Sequence, residues 1–289
     1  MRFAVLLLVA SLAAPVLSAQ QHAVPSDGQW LIEPGERSGN VRLTIRYGER
    51  RYHDSWNSQD DVPMSQLVGL SAAEMGGSGT TVHFRIVRSA GTLTCEGWFE
   101  GGKGSGHFTY QPNPDFVAEL AKRGINAPPP TAWEQFQMTM AGLGLDLVDE
   151  LARQRYDRPT AAELARMATH GVDLEYVRDI GARGYKDLDA EELVRLRDHG
   201  VDGDYITDMK EMGYAPSDPE ELVESRDHGV DPSYIRSLKE AGYERLSLQE
   251  LRRARDHGVT RGFIQRVKAR GYGNPSLDEV IRLRDRGLE

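Results

Sequence analysis

Four histidines stand 29 residues apart in this 289-residue chain, His170, His199, His228 and His257, and each is followed directly by glycine. Three of them close an Arg-Asp-His triplet, which sets Arg197, Arg226 and Arg255 in the same phase. Such a column of imidazoles and guanidiniums could present a graded polar edge to a protein partner, and these seven residues are the candidates for it. A shared metal fits less well, because stacked helices lie roughly 8 to 10 Å apart and adjacent imidazoles would not converge on one ion. A structural role competes: a histidine in the last turn of a helix can meet orphan carbonyls and the negative end of the dipole. The Arg and Asp columns could equally pair between repeats.

Other chemistry-bearing groups read as ordinary structure. His53-Asp54-Ser55 sets three catalytic residue types side by side, but triads are assembled from positions distant in the chain. The run Gly101-Gly102-Lys103-Gly104-Ser105-Gly106 departs from a phosphate loop, since Lys103 is followed by glycine and no helix signal follows, so it reads as a hairpin tip. Asp54, Asn57, Asp60 and Asp61 could offer oxygens to calcium, yet they lack the spaced ligands and the glycine of a calcium loop. The single Cys95 sits in an alternating apolar stretch with Leu93 and Phe99 and reads as a buried, inert thiol. Trp30, Trp56 and Trp98 could stack on sugar faces, although core packing is the commoner fate of such side chains. No zinc spacing, HExxH or singled-out carboxylate pair occurs, and no residue is assigned as catalytic, cofactor-binding or metal-binding.

The histidines belong to a tandem array, because Gly184-Tyr185, Gly213-Tyr214, Gly242-Tyr243 and Gly271-Tyr272 keep the same interval. Each unit predicts two short helices. The first opens at Thr160, Asp189, Asp218, Ser247 or Ser276, with Glu163, Glu192, Glu221, Glu250 or Glu279 three residues on, the reciprocal pair of a capping box. It ends at Gly171, Gly200, Gly229 or Gly258, placed for the left-handed conformation and followed by valine as the apolar contact. The second helix is capped by Asp173, Asp202, Asp231 or Thr260 and carries a stripe such as Tyr176, Val177 and Ile180 before it reaches Gly-Tyr. In the divergent first unit, Thr131 and Glu134 form another box and Arg155-Tyr156 replaces Gly-Tyr.

The expected units are 131–159, 160–188, 189–217, 218–246 and 247–275, with a terminal half-repeat at 276–289 and a half-repeat and Pro-rich linker at 113–130. In the half-repeat, Asn113-Pro114 reads as the cap. Half-units at both ends are what a stack needs to cover its apolar end faces. Residues 28–111 alternate with period two, as in Val41, Leu43, Ile45 and Tyr47 or Val82, Phe84 and Ile86, and predict an antiparallel β domain with turns at Ser89-Ala90-Gly91 and Gly101 to Gly106. Arg51 to Met75 reads as an irregular connection. The fold class is therefore α+β in two domains, a small antiparallel β domain followed by a helical-hairpin array, a short α-solenoid.

Met1-Arg2, the apolar run from Phe3 to Val16 and the small-residue exit at Ser18-Ala19 have the form of a secretory signal over residues 1–19, cleaved near Ala19, with no transmembrane segment in the mature chain. A formal charge of −9 without a basic block argues against nucleic acid as a partner. The lone cysteine excludes an internal disulfide.

The Arg-Asp-His-Gly-Val and Gly-Tyr units, with the hairpin from Ala90-Gly91-Thr92 to Gly106-His107-Phe108, resemble a group of exported bacterial proteins. Similar repeats occur in C-terminal extensions of BlaR-type M56 metallopeptidases, the membrane sensors that govern antirepressor cleavage. The resemblance implies a bacterial extracytoplasmic module associated with envelope sensing. It carries over no catalytic residue, because this chain has neither the zinc motif nor the membrane helices of those peptidases. The expectation is a noncatalytic periplasmic or secreted protein, without cofactor, whose array binds a protein or peptide of the cell envelope. The alternative is a small-ligand or glycan sensor using the β domain, and a hydrolase with a dispersed site stands third.

Overall fold

The computed structural model describes residues 24, 26–47 and 56–288. The proposed signal and His53-Asp54-Ser55 lie outside the described residues, as do the side chains of Trp56, Asn57 and Asp60. The chain is mixed α/β. One seven-stranded antiparallel sheet, curled nearly to a barrel, is followed by short helices. Strands β1 (Asp27–Pro34), β2 (Asn40–Tyr47), β3 (Trp56–Pro63), β4 (Leu67–Val68), β5 (Ser78–Val87), β6 (Gly91–Glu100) and β7 (Lys103–Pro112) lie in the order β3-β2-β1-β7-β6-β5-β4. Helix α1 (Ala72–Met75) precedes β5.

The period-two alternation works as expected. Ile32, Leu43, Ile45, Phe84, Ile86, Leu93, Cys95, Phe99 and Phe108 all point to one buried face. The stretch read as an irregular connection, Arg51 to Met75, instead contains β3, β4 and α1. Strand β3 was illegible because Trp-Asn-Ser-Gln-Asp-Asp-Val-Pro has no apolar alternation. Its place at one end of the sheet, paired along its whole length with β2, supplies the order that its side chains do not advertise.

Gly101 and Gly102, at φ +57° and +81°, form the two-residue turn joining β6 to β7, a conformation that favours glycine at both positions. Lys103, at the start of β7, reaches back to Glu33 at 2.7 Å, so the glycine run is a hairpin tip.

Twelve further helices follow among the described residues: α2 (Phe116–Lys122), α3 (Ala132–Met140), α4 (Leu145–Gln154), α5 (Ala161–Thr169), α6 (Leu174–Ala182), α7 (Ala190–Asp198), α8 (Gly203–Glu211), α9 (Glu220–Asp227), α10 (Pro232–Glu240), α11 (Leu248–Asp256), α12 (Arg261–Val267) and α13 (Leu277–Asp285). Reciprocal capping boxes close at Thr131, Thr160, Asp189 and Ser247. Ser276 accepts from Glu279 N–H and makes the cap half of its box. The expected box at Asp218 does not form, because its carboxylate takes the N–H of Glu220. Asn113 is likewise not the cap of α2; it accepts from Asp115 N–H and donates to Ser89 O, tying the helix start to the β5–β6 turn.

Each first helix ends as its glycine predicts. Gly171, Gly200, Gly229 and Gly258 have φ between +65° and +73°, and the next valine N–H returns to a carbonyl five residues back, as Val172 does to Met167. The Gly-Tyr glycines are left-handed as well, and Arg155 takes that conformation at φ +67°, where a side chain costs on the order of 1 kcal/mol. First helices touch the next first helices (α3 with α5, α5 with α7, α7 with α9, α9 with α11), and second helices do the same (α4 with α6, α6 with α8, α10 with α12). The predicted stripes fill the interior: Tyr176, Val177 and Ile180, with their counterparts through Phe263, Ile264 and Val267, are all buried.

Helix α3 joins the sheet to the helices. Its Phe136 and Met140 enter the apolar cluster of the sheet, while Met138 belongs to the helical cluster. Phe136 stands edge-on to Tyr47 at 4.7 Å and Tyr110 at 5.0 Å. Gln135 donates to Ala90 O and Asn113 O, and Arg88 donates to Thr139 O and Met140 O, so polar bonds lock the same junction.

Candidate functional site

The histidine column is consumed by contacts between neighbouring units. Nδ1 of His170, His199, His228 and His257 lies 2.6–2.8 Å from Oδ1 of Asp198, Asp227, Asp256 and Asp285, each in the following unit. A carboxylate can only accept, so each imidazole carries a proton on Nδ1 and donates it. The expectation that the side chain would meet orphan carbonyls is replaced by this pairing, although all four histidines do occupy the C-cap positions of their helices.

The arginines reach backward while the histidines reach forward. Arg197, Arg226 and Arg255 lie 4.7–5.0 Å from the ring centres of Tyr176, Tyr205 and Tyr234 in the preceding unit, and Arg284 covers Phe263 at 5.1 Å. Stacked guanidiniums of this kind contribute about 0.5–1 kcal/mol at exposed sites. The seven edge candidates thus stand together as one repeated interface, each engaged by a neighbouring unit, with the histidines still partly exposed.

Sequence reasoning missed the tyrosine hydroxyls. Tyr176, Tyr205 and Tyr234 donate to Val201 O, Val230 O and Val259 O at 2.9–3.1 Å. A second series is formed by Tyr156, which follows Arg155, and by Tyr185, Tyr214 and Tyr243 of the Gly-Tyr marks, which donate to the carbonyls of Tyr185, Pro216, Leu246 and Pro275 at 2.6–2.7 Å. Burial pushes the Tyr205 and Tyr234 phenols up to about 12, which keeps them protonated donors. The signal was present as the choice of tyrosine over phenylalanine at a buried, periodic position.

Of the proposed sugar-stacking residues, Trp30 is corrected. It is 2% exposed, packed edge-on against Phe84 at 5.0 Å, and its Nε1 donates to Glu96 O and His107 O. Trp98 is 48% exposed on the opposite face of the sheet. Burial pushes the Cys95 thiol up to about 12, as expected for an inert core thiol. Asp61 accepts from Glu36 N–H and Asn40 Nδ2, so its oxygens hold the β1–β2 connection.

A cleft of about 1390 Å³ opens between the β5–β6 turn and the first helical hairpins. Val87 of the sheet, Leu145 of α4 and Leu174 of α6 give it apolar walls that remain partly open to solvent. Asp146, Asp173, Glu175 and Asp179 line it beside Arg178 and Arg197. Asp146, Asp173 and Glu175 stand at the starts of α4 and α6, where negative charge meets the positive end of each helix, while Asp179 lies further along α6 and pairs with Arg183.

Arg178 of the cleft also reaches Glu150, which is 3% exposed and accepts from Arg153, Gln154 and Arg178. The Arg153 guanidinium first, and then Gln154 and Arg178, hold its carboxyl down at about 2 against the cost of burial. A carboxyl depressed in the folded state stabilises above its unfolded pKa of about 4.5, and that contribution is lost as pH falls toward 2. The full linkage corresponds to about 3 kcal/mol. Urea unfolding at pH 6 and pH 2.5 should therefore show a larger loss for the native chain than for Glu150→Gln. Equal losses would remove Glu150 as a source of acid sensitivity.

Compared with models of protein families and with curated protein sequences, the chain matches none. Its function must be argued from its own geometry.

Proposed function

We propose that the chain is a noncatalytic, extracytoplasmic binding protein in which a short α-solenoid and a β domain together offer a peptide or protein partner a cleft at their junction. The cleft is the observation that carries this reading. At about 1390 Å³ it exceeds the roughly 300–1,000 Å³ of a small-molecule pocket and suits an extended chain, with partly open apolar walls from β5, α4 and α6 and charged groups at fixed places around them. The solenoid arrangement is supported by the stepwise contacts of like helices and by the recurrence of the His–Asp and Arg–Tyr pairs at each junction. Export, with removal of a signal ending near Ala19, and a role in envelope sensing rest on the N-terminal sequence pattern and the repeat resemblance. Because the Arg and His columns are engaged between units, the proposed interface moves from that edge into the cleft, where Arg197 belongs to both.

The test is selection of peptides from a displayed random library on the native chain, followed by affinity measurement with three variants. Leu174→Glu should weaken the selected peptides by at least about tenfold, the scale of one lost apolar anchor. The double variant Arg226→Ala, Arg255→Ala should bind as the native chain does. Loss of binding in that folded double variant alone would return the interface to the edge. The triple variant Arg197→Ala, Arg226→Ala, Arg255→Ala should stay folded; if it unfolds, the column is required for structure. A library that yields no saturable binder, or binders indifferent to all three variants, would defeat the peptide-binding proposal.

A further inference from the structure

The outer face of the sheet holds a second depression, of about 700 Å³, remote in kind from the peptide cleft. Trp98 lines it and is the most exposed aromatic side chain among those described. Strand register sets Thr81 of β5 on one side of Trp98 and Ser105 of β7 on the other. Both side chains are too short to cover an indole. Two residues along the strands, a distance of about 7 Å, a second row crosses four strands as Arg46, Gln29, His107 and Glu96. All four are exposed.

The reason this row is held in place lies on the inner face. Gly97 and Gly106 are paired between the two rows, and their missing side chains leave the space that the Trp30 indole fills. A Cβ on Gly106 would fall 2.7 Å from Trp30 Cζ2 and 2.0 Å from Glu96 O. From there Trp30 Nε1 donates to the carbonyls of Glu96 and His107, at 3.3 and 3.1 Å. The buried tryptophan therefore pins, from beneath, the backbone of two residues whose side chains stand beside the exposed tryptophan above. Sequence reasoning grouped Trp30 with Trp98 as stacking residues; one of them supports the surface and the other forms it.

An exposed indole is a flat apolar plate; the Glu96 carboxylate and the His107 imidazole stand next to it, and the Gln29 amide and the Arg46 guanidinium follow one and two strands further across the same depression. A wholly apolar ligand would desolvate this polar row without pairing it, at a cost for each group. Nucleic acid is opposed by the chain's formal charge of −9. The groups suit a ligand with one C–H face and hydroxyls around its rim. The geometry points to a saccharide site on the outer face of the sheet, in which one pyranose ring of a β-1,4-linked chain stacks on Trp98, Glu96 and His107 hydrogen-bond the hydroxyls at its rim, and Gln29, one strand further on, bonds a hydroxyl of a neighbouring ring. Chains with this linkage are ribbons whose ring faces carry only C–H groups, matched to a plate lying in a sheet surface. This site is independent of the peptide cleft, so either can fail without the other.

Calorimetric titration of the full chain with cellohexaose and with chitohexaose tests it. At least one of the two should bind saturably, and Trp98→Ala should weaken that binding by about 30-fold, the scale of one lost aromatic stack. Trp98→Tyr should retain it within about tenfold, and Gln29→Ala should weaken it by about fivefold, the scale of one lost hydrogen bond. Circular dichroism of each variant should match the native chain, since Trp98 is half exposed. Saturation by neither sugar up to about 10 mM would overturn the proposal. So would native affinity in Trp98→Ala. Sedimentation showing a native dimer that Trp98→Ala dissociates would overturn it too, because a second copy would then be what covers the indole.

Discussion

Ending the chain at Pro275 should unfold the hairpin from Ser247 to Tyr272 and leave the sheet folded. Helix α13 buries Leu277, Val280 and Ile281 against that hairpin, and Leu283 packs beside them. Three such side chains at roughly 1.5 to 3 kcal/mol each place the lost burial at about 5 to 9 kcal/mol. The His257–Asp285 bond, the Arg253–Asp278 ion pair and the Arg284 guanidinium over Phe263 go with them. A hairpin of two such short helices, α11 and α12, has no such reserve, because helices of this length are marginal without packing partners. Hydrogen exchange should show lost protection from Ser247 to Tyr272 and unchanged protection in β1, β2, β6 and β7. Protection retained across that hairpin would mean that α13 caps nothing.

Phe136→Ala should destabilise sheet and helices together, by about 3 to 5 kcal/mol, the usual cost of removing a fully buried phenylalanine. The ring is fully buried and stands edge-on to Tyr47 and Tyr110 of the sheet, yet it is carried by a helix whose Met138 belongs to the other cluster. Urea unfolding followed both by the far-ultraviolet helical signal and by tryptophan fluorescence should show the two midpoints falling in step. A fluorescence transition that moves while the helical one stays put would make the junction a loose contact between independently stable parts.

Legibility followed the range of the interaction. Cap and glycine signals act over three to six residues, and they placed the first helices at Thr160, Asp189 and Ser247 and their left-handed ends at Gly171, Gly200 and Gly258. Asp218 misled because Pro219, which has no polar side chain to cap with, takes the N-cap position, and the Asp218 carboxylate one residue earlier accepts from Glu220 N–H instead. Strand β3 was hidden because pairing with β2, and not its own alternation, makes it a strand. At the candidate sites, residue types were visible and their partners were not. Nothing local says that Arg197 lies on Tyr176 or that His199 meets Asp227, since each pair joins two separate units. Likewise, only strand register separates Trp98 on the surface from Trp30 in the core, and the gap between them in sequence conceals that they flank the same pair of glycines.

The His–Asp and Arg–aromatic contacts have a consequence for how such a chain can change over generations. At each junction from the 160–188 unit onward, the same pair types join the same positions of one unit to the next, and no unit depends on contacts with a unit two places away through these pairs. A copying error that adds or removes one whole unit in phase would therefore regenerate a complete junction on both sides of the splice. Array length is in this sense a heritable dial that recombination can turn without redesigning any interface, whereas an error out of phase by even one residue would break every pair at the seam.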